Sequence, residues 1–437
     1  MTIQAPVTFV RPDGKTNQRW IICFLLFLAI TIVYLGRGIV SFLEPSLEGT
    51  IPGMIPGHGL IPGLTAESYG RIAALYSVAY ALGMALAGGV LDWLGTRKTF
   101  MLSVAIWMSA ELLLGWSFSV MSFGVFMFLL GIGEASNFPA CIKTVAEWFP
   151  KKERALSTGI FNSGANFGAI VAPLFVAFLV THFGWRGAFR SGAVIAAIWL
   201  CAWYLLYGPP ETSPRIGQKE LDYILSDPVE RVRRLPYSRV IAHKETWAFA
   251  IGKFLTDGVW WFYLFWLPHY LSDTYHLDLK QNRLPVITVF AISTIGSVGG
   301  GYISAFLINK GKSLNFSRKA ALLFCALCAL PVFFAPHVNN LWLVVGLVGL
   351  AAAAHQGWSA NLFTIPSDIF PKAAVGSVTG LGGMIGAGGG ALMHVIVGRL
   401  AYSHDYTPVF AYACSAYLLA FLIIQIITPK LAPAVMD

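Results

Sequence analysis

Charged residues are scarce in this 437-residue chain: Asp, Glu, Lys and Arg make up 12% of it, about half the share of a soluble domain. Apolar residues make up 56%. That balance excludes a water-soluble globule, because so much apolar surface needs lipid as its solvent. Cysteine is sparse too. Cys23, Cys141, Cys201, Cys325, Cys328 and Cys414 all fall inside apolar runs and read as small buried hydrophobes. Cys325-Ala-Leu-Cys328 has zinc-like spacing, but no second pair or histidine partner lies nearby, so no metal site is expected. No cleavable signal peptide is visible. The chain is polar up to Trp20, and the first apolar run is too long for a signal core, so it reads as a first span. There is no nucleophile–base pair, metal cluster or phosphate loop, so neither an enzyme nor a cofactor is expected. The run Gly382–Gly390 has no strand before it and no Walker lysine after it, and reads as helix packing. A net charge of +9 without a soluble basic domain gives no reason to expect nucleic acid.

What is present is a series of apolar stretches, each near the roughly 20 residues that cross a bilayer. Spans are expected over 19–43, 68–91, 99–118, 120–146, 154–179 and 187–207, then over 246–270, 286–309, 319–336, 341–368, 376–402 and 408–428. The expected class is an all-α membrane protein, with twelve transmembrane helices in two pseudo-symmetric six-helix bundles. Its parts are a tail (1–18), a first bundle (19–207), a linker (208–245), a second bundle (246–428) and a tail (429–437). Arg97 and Lys98, Lys151, Lys152 and Arg154, Lys310, Lys312, Arg318 and Lys319, and Lys372 fall on one side with both termini and the linker. The positive-inside rule makes that side cytoplasmic. The opposite loops are poorer in basic residues, with Arg186, Arg283 and Arg399 as exceptions. Linker residues Gly217 to Arg234 read either as a surface helix or as a solvated tether. The loop from Ile51 to Gly63 is dense in proline and glycine, which disfavours helix and strand. It reads as an external loop, with a lid as the alternative.

The halves repeat. Glu134, Phe149 and Gly159 match His355, Phe370 and Gly380 at one constant shift of 221 residues, and the Leu91–Gly95 turn echoes Ile308–Gly311. Parallel halves of this kind place a substrate site near the midplane between them.

Charge inside a span is costly and marks a pathway or a partner. Arg37 shares a helical face with Tyr34. Its planar fork suits a carboxylate, so it contacts either an anionic cargo or a structural acid, Glu134 or Asp257. Glu134 sits among small residues, Gly131-Ile-Gly-Glu-Ala-Ser136, and is the candidate proton carrier; a neutral structural carboxyl is the alternative. Proton occupancy and anion binding would then each alter the other's affinity. Asp257 is a gate contact, a second proton site or a helix-packing group. His355, Gln356, Trp358, Ser359 and Asn361 form a polar cluster suited to sugar hydroxyls, or a hydrogen-bonded core network. Asn162, Ser163 and Asn166 can add donors. Asp92, Gly95 and Arg97 lie in the turn joining the second and third spans and suit a latch between helices. Glu111 and His394 read as packing or cavity wall.

The run Gly88 to Lys98, Gly-x-x-x-Asp-x-x-Gly-x-Arg-Lys, resembles the signature of the major facilitator superfamily. Several other stretches are similar to the anion:cation symporter family, and together to its hexuronate transporter branch. They are Gly131-Ile-Gly-Glu-Ala with Phe138-Pro139, Trp148 to Ala155, Lys253 to Asp257, Trp260 to Pro268, Ala354 to Asn361 and Pro366 to Lys372. The resemblance implies proton-coupled import of glucuronate or galacturonate across a bacterial cytoplasmic membrane by alternating access. It places the family's first-span arginine on Arg37, its fourth-span glutamate on Glu134 and its second-span tyrosine on Tyr76, less closely Tyr80. Two positions depart from the pattern. Gly36 stands where Asp is common, and Met127 where Arg is common.

The reading is therefore a monomeric proton-linked symporter of a sugar acid. Arg37, Tyr34, Tyr76, Asn162, Trp261, His355, Gln356, Ser359 and Asn361 are its substrate contacts, and Glu134 and Asp257 its proton sites. The alternatives are another organic anion (aldonate, aldarate or aromatic carboxylate) and a non-transporting membrane sensor that signals through the linker.

Overall fold

The computed structural model describes residues 16–48, 61–226, 237–278, 280–370 and 372–431. Loop residues 51–60, linker residues 227–236 and the side chain of Asp92 lie outside the described residues. The helices are α1 (Gln18–Glu48), α2 (Ala66–Leu114), α3 (Val120–Ala135), α4 (Asn137–Trp148), α5 (Lys151–Leu206), α6 (Gln218–Ile224), α7 (Tyr237–Ile241), α8 (Lys244–Tyr275), α9 (Arg283–Asn309), α10 (Leu314–Ala329), α11 (Leu341–Leu362), α12 (Thr364–Ile369), α13 (Lys372–Tyr402) and α14 (Thr407–Ile427). Among the described residues there is no strand.

Twelve crossings follow from these helices. α2 folds back at Gly95 (φ 76°, ψ 164°) and α5 at Gly184 (φ 68°, ψ 175°), so each makes two crossings. The pairs α3–α4 and α11–α12 each make one, as does α10 with the 3-10 turn Leu330–His337 that follows it. Among the described residues, nine helical stretches are long and apolar enough to cross a membrane, and the longest, Ser157–Leu206, contains the fold at Gly184. The limb after Gly95 carries Arg97, Lys98 and Glu111, and α8 carries Lys253 and Asp257, which lowers the hydropathy of both. The protein is a multi-pass membrane protein.

The internal repeat is built into the backbone. The described residues with left-handed φ number three in each half: Gly63, Gly95 and Gly184, then His276, Gly311 and His404. They sit at the first-to-second, second-to-third and fifth-to-sixth connections of each half. Helix starts repeat as well. Ser119 caps α3 by accepting from the Ser122 amide at 3.1 Å, and Asn340 caps α11 by accepting from the Leu343 amide at 3.0 Å. A side-chain oxygen there satisfies an amide that the helix cannot.

Within the expected linker, α6 covers Gln218–Ile224 of the 217–234 segment, and residues 227–234 lie outside the described residues. α6 places Glu220, almost fully buried, against the start of α1. Its carboxylate accepts from the backbone amides of Gln18 and Arg19, both at 3.1 Å, and from the Arg19 guanidinium at 3.1 Å. These bonds put α6 and the start of α1 at one end of the bundles, here the linker end; the other is the far end.

Candidate functional site

The site grows from α1. Tyr34, Arg37, Ser41 and Glu44 follow one another at spacings of three and four, so one face of a helix crossing apolar surroundings is polar. Arg37 is 6% exposed. Its Nε donates to Glu134 Oε2 at 2.8 Å, and the Tyr76 hydroxyl donates to the same oxygen at 2.6 Å. Of the two acids that sequence reasoning left open for Arg37 beside an anionic cargo, the structure pairs it with Glu134.

Bare glycines make this meeting possible. A Cβ on Gly131 would lie 2.4 Å from the Tyr76 carbonyl oxygen, and one on Gly133 would lie 2.6 Å from the Trp107 amide nitrogen. Both limbs of α2 therefore close onto α3 around Glu134, and Tyr76 comes within reach of its carboxylate. Glu134 sits just before the break between α3 and α4 at Ser136.

Three rings surround the guanidinium. Its carbon lies 5.0 Å from the Tyr34 ring centre, 5.3 Å from Tyr80 and 5.5 Å from Trp261. Such contacts favour a cation that has lost its water. Trp261 comes from α8, in the other half, and also meets Tyr76 and Tyr80 edge to face at 5.9 and 6.0 Å. The second half thus caps the charge of the first.

The halves are clasped at the far end. His269 Nδ1 of α8 and Glu44 Oε2 of α1 are 2.6 Å apart, with Glu44 fully buried. The Ser41 hydroxyl donates to the Phe265 carbonyl at 3.1 Å, and Tyr69 meets Trp266 edge to face at 5.0 Å. α2 crosses α13 with glycine on both sides: a Cβ on Gly70 would lie 2.9 Å from Gly398 Cα and 2.5 Å from the His394 carbonyl oxygen. His394 Nδ1 takes the Trp266 indole N–H at 3.0 Å. Sequence reasoning missed Glu44, because the first span was ended at 43, and it missed His269. The polar spacing down α1 was the available signal for Glu44, and an ionisable ring inside the expected span 246–270 was the signal for His269.

The second half holds a separate ion pair. Asp257 Oδ2 lies 2.7 Å from Lys253 Nζ, one turn away on α8, and packs where a Gly386 side chain would be. Lys253 also lies over the Phe363 ring at 4.2 Å. His355 stacks on Trp260 at 4.9 Å, and its Nδ1 pairs with the Tyr417 hydroxyl at 2.9 Å. Gln356 reaches across the interface and donates to Asn166 Oδ1 at 3.4 Å. The fully buried Asn361 donates its amide N–H groups to the carbonyls of Gly300 and Gly357 at 2.8 and 2.9 Å, while its Oδ1 has no hydrogen-bond partner among the described residues. Ser359 is half-buried, and Asn162 and Ser163 are exposed on α5.

The turn at Gly95 works within the first half. Arg97 Nη2 donates to the Tyr204 carbonyl at 2.6 Å. Glu147 of α4 accepts from Thr96 at 2.6 Å and from Tyr207 at 2.5 Å, a knot that sequence reasoning did not find. Gly36, the first departure from the resembled pattern, faces Glu111: a Cβ there would lie 2.1 Å from Glu111 Oε1. Met127, the second, is fully buried among apolar side chains. Among the described residues no group of three His, Cys, Asp or Glu could hold a metal ion.

Known proteins share this architecture. A bacterial homolog of the human lysosomal transporter Spinster, inward-facing and occupied, superposes with a TM-score of 0.69 at 17% identity, over 95% of this chain and 96% of its own. The xylose transporter XylE from E. coli, partially occluded and inward open, gives 0.69 at 16% identity, over 95% and 98%. Similar curated proteins carry sugar-acid names. The hexuronate transporter of Escherichia coli (strain K12) is 28% identical over 416 residues, covering 93% of each chain. The D-galactonate transporter of Escherichia coli O6:H1 is 25% identical over 430 residues, covering 95% of this chain and 96% of its own. A probable galactarate/D-glucarate transporter of Bacillus subtilis (strain 168) is 28% identical over 419 residues, covering 90% and 88%. All of these are named as transporters. The model of the Major Facilitator Superfamily matches residues 26–394, and the chain belongs to that superfamily.

Proposed function

We propose that this transporter imports a sugar acid, a hexuronate such as glucuronate or galacturonate, together with protons, across a bacterial cytoplasmic membrane by alternating access. Termini and linker face the cytoplasm, and the monomer is the working unit. The observation that carries the reading is the pairing of Arg37 with Glu134 at 2.8 Å beneath Trp261 of the other half.

A cargo carboxylate is an alternative partner for the same guanidinium. When it takes Arg37, Glu134 loses its cation. An unpaired carboxylate in so buried a place is unfavourable, so Glu134 takes up a proton. When cargo leaves, Arg37 returns and the proton is released. Cargo and proton thus favour each other's binding through one side chain. Tyr34, Tyr76 and Tyr80 border the carboxylate position. Gln356, Ser359 and His355 of one half and Asn162 and Asn166 of the other address hydroxyls, and Asn361 holds α9 against α11. Asp257, paired with Lys253, is a weaker proton site. The Arg97 and Glu147 contacts, with the turn at Asp92 and Gly95, keep the first half rigid as the bundles rock.

A second cargo class, an aldonate or aldarate, is favoured by the names of the galactonate and galactarate/D-glucarate relatives, whose identities of 25–28% match that of the hexuronate relative. A thermal-shift panel on the purified protein separates the classes, because ligand stabilises the state that binds it. Glucuronate or galacturonate is expected to raise the unfolding temperature most. Equal or larger shifts with galactonate or glucarate would move the assignment to those acids, and no shift with any of them would overturn it.

A further inference from the structure

Two hollows meet at the linker end of the first half. One, of about 220 Å³, opens between the turn at Gly95 and the segment that follows α5, with Arg97, Tyr207, Thr212, Ser213 and Arg215 in its walls. The other, of about 310 Å³, is lined by Met101, Leu200, Cys201, Tyr204 and Leu205 and presents only apolar surface. Leu205 belongs to both walls. Met101 lies four residues past Arg97, and Cys201 four before Leu205, so the apolar trough runs about one turn deeper along both helices. Tyr204 and Leu205 are 56% and 63% exposed, and Trp93, just before the turn, is 82% exposed. Exposed aromatic rings at the end of a membrane-crossing helix mark the headgroup level of a bilayer. The trough therefore enters the hydrocarbon, and the first hollow sits among the headgroups.

The end of α5 sets the two arginines in place. Arg97 Nη2 donates to the Tyr204 carbonyl at 2.6 Å, and its guanidinium carbon lies 5.2 Å from the Tyr204 ring centre. Arg215 Nη1 donates to the Leu205 carbonyl. Both carbonyls are among the last four of the helix, which no helical amide reaches. A guanidinium has five N–H groups, more than one carbonyl can use. Lys98 is exposed next to Arg97. Among the described acids at this end, Glu147 is held by Thr96 and Tyr207, Glu153 by Arg19 and Tyr223, and Glu220 by the start of α1, while Glu211 lies in the 3-10 turn Pro210–Thr212. Among the described residues, the walls of the first hollow hold two basic groups and no acid.

A hollow walled by two guanidiniums, with a trough of hydrocarbon leading from it, matches a ligand with an anionic head and an apolar tail. We propose that the two hollows form one binding site for an anionic phospholipid of the leaflet at the linker end. The phosphodiester lies between Arg97 and Arg215, whose planar forks suit its oxygens. The first carbons of an acyl chain follow Leu205, Tyr204 and Cys201 down the trough. A zwitterionic lipid brings an ammonium group that the same arginines repel, so the net charge of the head decides between lipids. The bound lipid joins the start of the third crossing to the segment beyond the sixth, and so steadies the first half where Arg97 already ties the two together. Binding here does not depend on which acid is carried.

Two measurements on the purified full chain in detergent test this. The first is native mass spectrometry with equimolar dioleoyl phosphatidylglycerol and dioleoyl phosphatidylcholine. The wild type is expected to retain one phosphatidylglycerol in preference, and equal retention of the two lipids overturns the proposal. Arg97→Gln/Arg215→Gln is expected to bind that lipid about thirtyfold more weakly, about fivefold for each basic group. Should the double variant misfold, Arg215→Gln alone, outside the helix, is expected to show the fivefold loss, and unchanged binding overturns the site. Arg186→Gln/Arg190→Gln removes the same charge at the far end and is expected to change nothing; an equal loss there would mean charge without a site. Cys201→Trp fills the trough at constant charge and is expected to weaken retention, whereas full retention overturns the two-part site. The second measurement is thermal unfolding. Phosphatidylglycerol is expected to raise the unfolding temperature of the wild type more than phosphatidylcholine does. Glycerol 3-phosphate, a charged head without chains, is expected to give no shift, and a shift equal to that of phosphatidylglycerol would assign the hollow to a soluble phosphate and overturn the lipid. Neither readout involves cargo, so failure here leaves the transport reading standing, and failure of that reading leaves this site standing.

Discussion

Arg37 Nε and Glu134 Oε2 meet at 2.8 Å, joining α1 to α3 in the middle of the first half, and the ring of Trp261 from the second half closes over them. Charge-assisted pairs of this kind are worth more than neutral hydrogen bonds, and breaking one side leaves the other stranded. Arg37→Ala is expected to abolish glucuronate uptake and to lower stability by about 3–5 kcal/mol. Arg37→Ala/Glu134→Gln should recover most of the stability and none of the uptake. Thermal unfolding and vesicle uptake on the same preparations check this, and recovery of uptake in the double variant would remove Arg37 from the cargo site.

Glu134→Gln is expected to separate exchange from accumulation. The amide keeps the size of the carboxyl and cannot carry the proton, so counterflow of labelled cargo continues while uptake driven by a pH gradient falls at least about tenfold, the loss of about 1.4 kcal/mol of coupling. Gradient-driven accumulation at the wild-type level would place the proton on another residue.

Much of this was legible in the sequence, for physical reasons. A guanidinium and a carboxyl inside apolar helices are too costly to be incidental, so Arg37 and Glu134 stood out without any structure. The doubled architecture was legible because each half keeps its motifs at one spacing, and the left-handed corners at Gly95 and Gly311 bear out the echo between those turns. What was hidden depends on contact between distant segments. His269 lies inside an expected span, but its partner Glu44 is 225 residues away and is brought to it only when α8 lies against α1. Asn361 looked like a sugar contact because an amide inside a span signals polarity without saying to whom it binds. Its two carbonyl partners on α9 and α11 are visible only in three dimensions. Lys253 stood in a recognised stretch, yet its pairing with Asp257 one turn later went unread.

The buried pair of Glu44 and His269 should behave as a clasp. His269→Ala strands the fully buried Glu44 carboxylate and is expected to cost about 3–5 kcal/mol in the far-end-closed state. Glu44→Gln/His269→Gln should restore thermal stability while easing opening at the far end. Accessibility of a cysteine placed at Ser41 to a membrane-impermeant thiol reagent reads the opening, in a background freed of native cysteines. Unchanged accessibility in both variants would relegate the pair to packing.

Gly70 and Gly398 let two backbones touch. Gly70→Leu forces atoms into the space of the His394 carbonyl and the Gly398 Cα, an overpacking that costs typically about 1–3 kcal/mol. The expected result is a bias away from the far-end-closed state and uptake reduced about tenfold, with the fold retained by circular dichroism. Full uptake would mean that the crossing separates freely during transport.

Asn361→Ala offers the contrasting outcome. Losing two hydrogen bonds to backbone carbonyls should lower stability by about 1–3 kcal/mol and leave the order of preference among sugar acids unchanged. A reordered thermal-shift panel would return Asn361 to the cargo site.

The hold of Glu220 on the first amides of α1 has a consequence for biosynthesis. The cap and the helix start it completes are 202 residues apart in the chain. At about 5–20 residues per second, the opening turn of the first helix emerges about 10–40 s before its acidic partner is made. During that interval its amides must be satisfied by water or lipid headgroups, so the ribosome delivers a first half that is finished only once translation has moved on into the connecting segment.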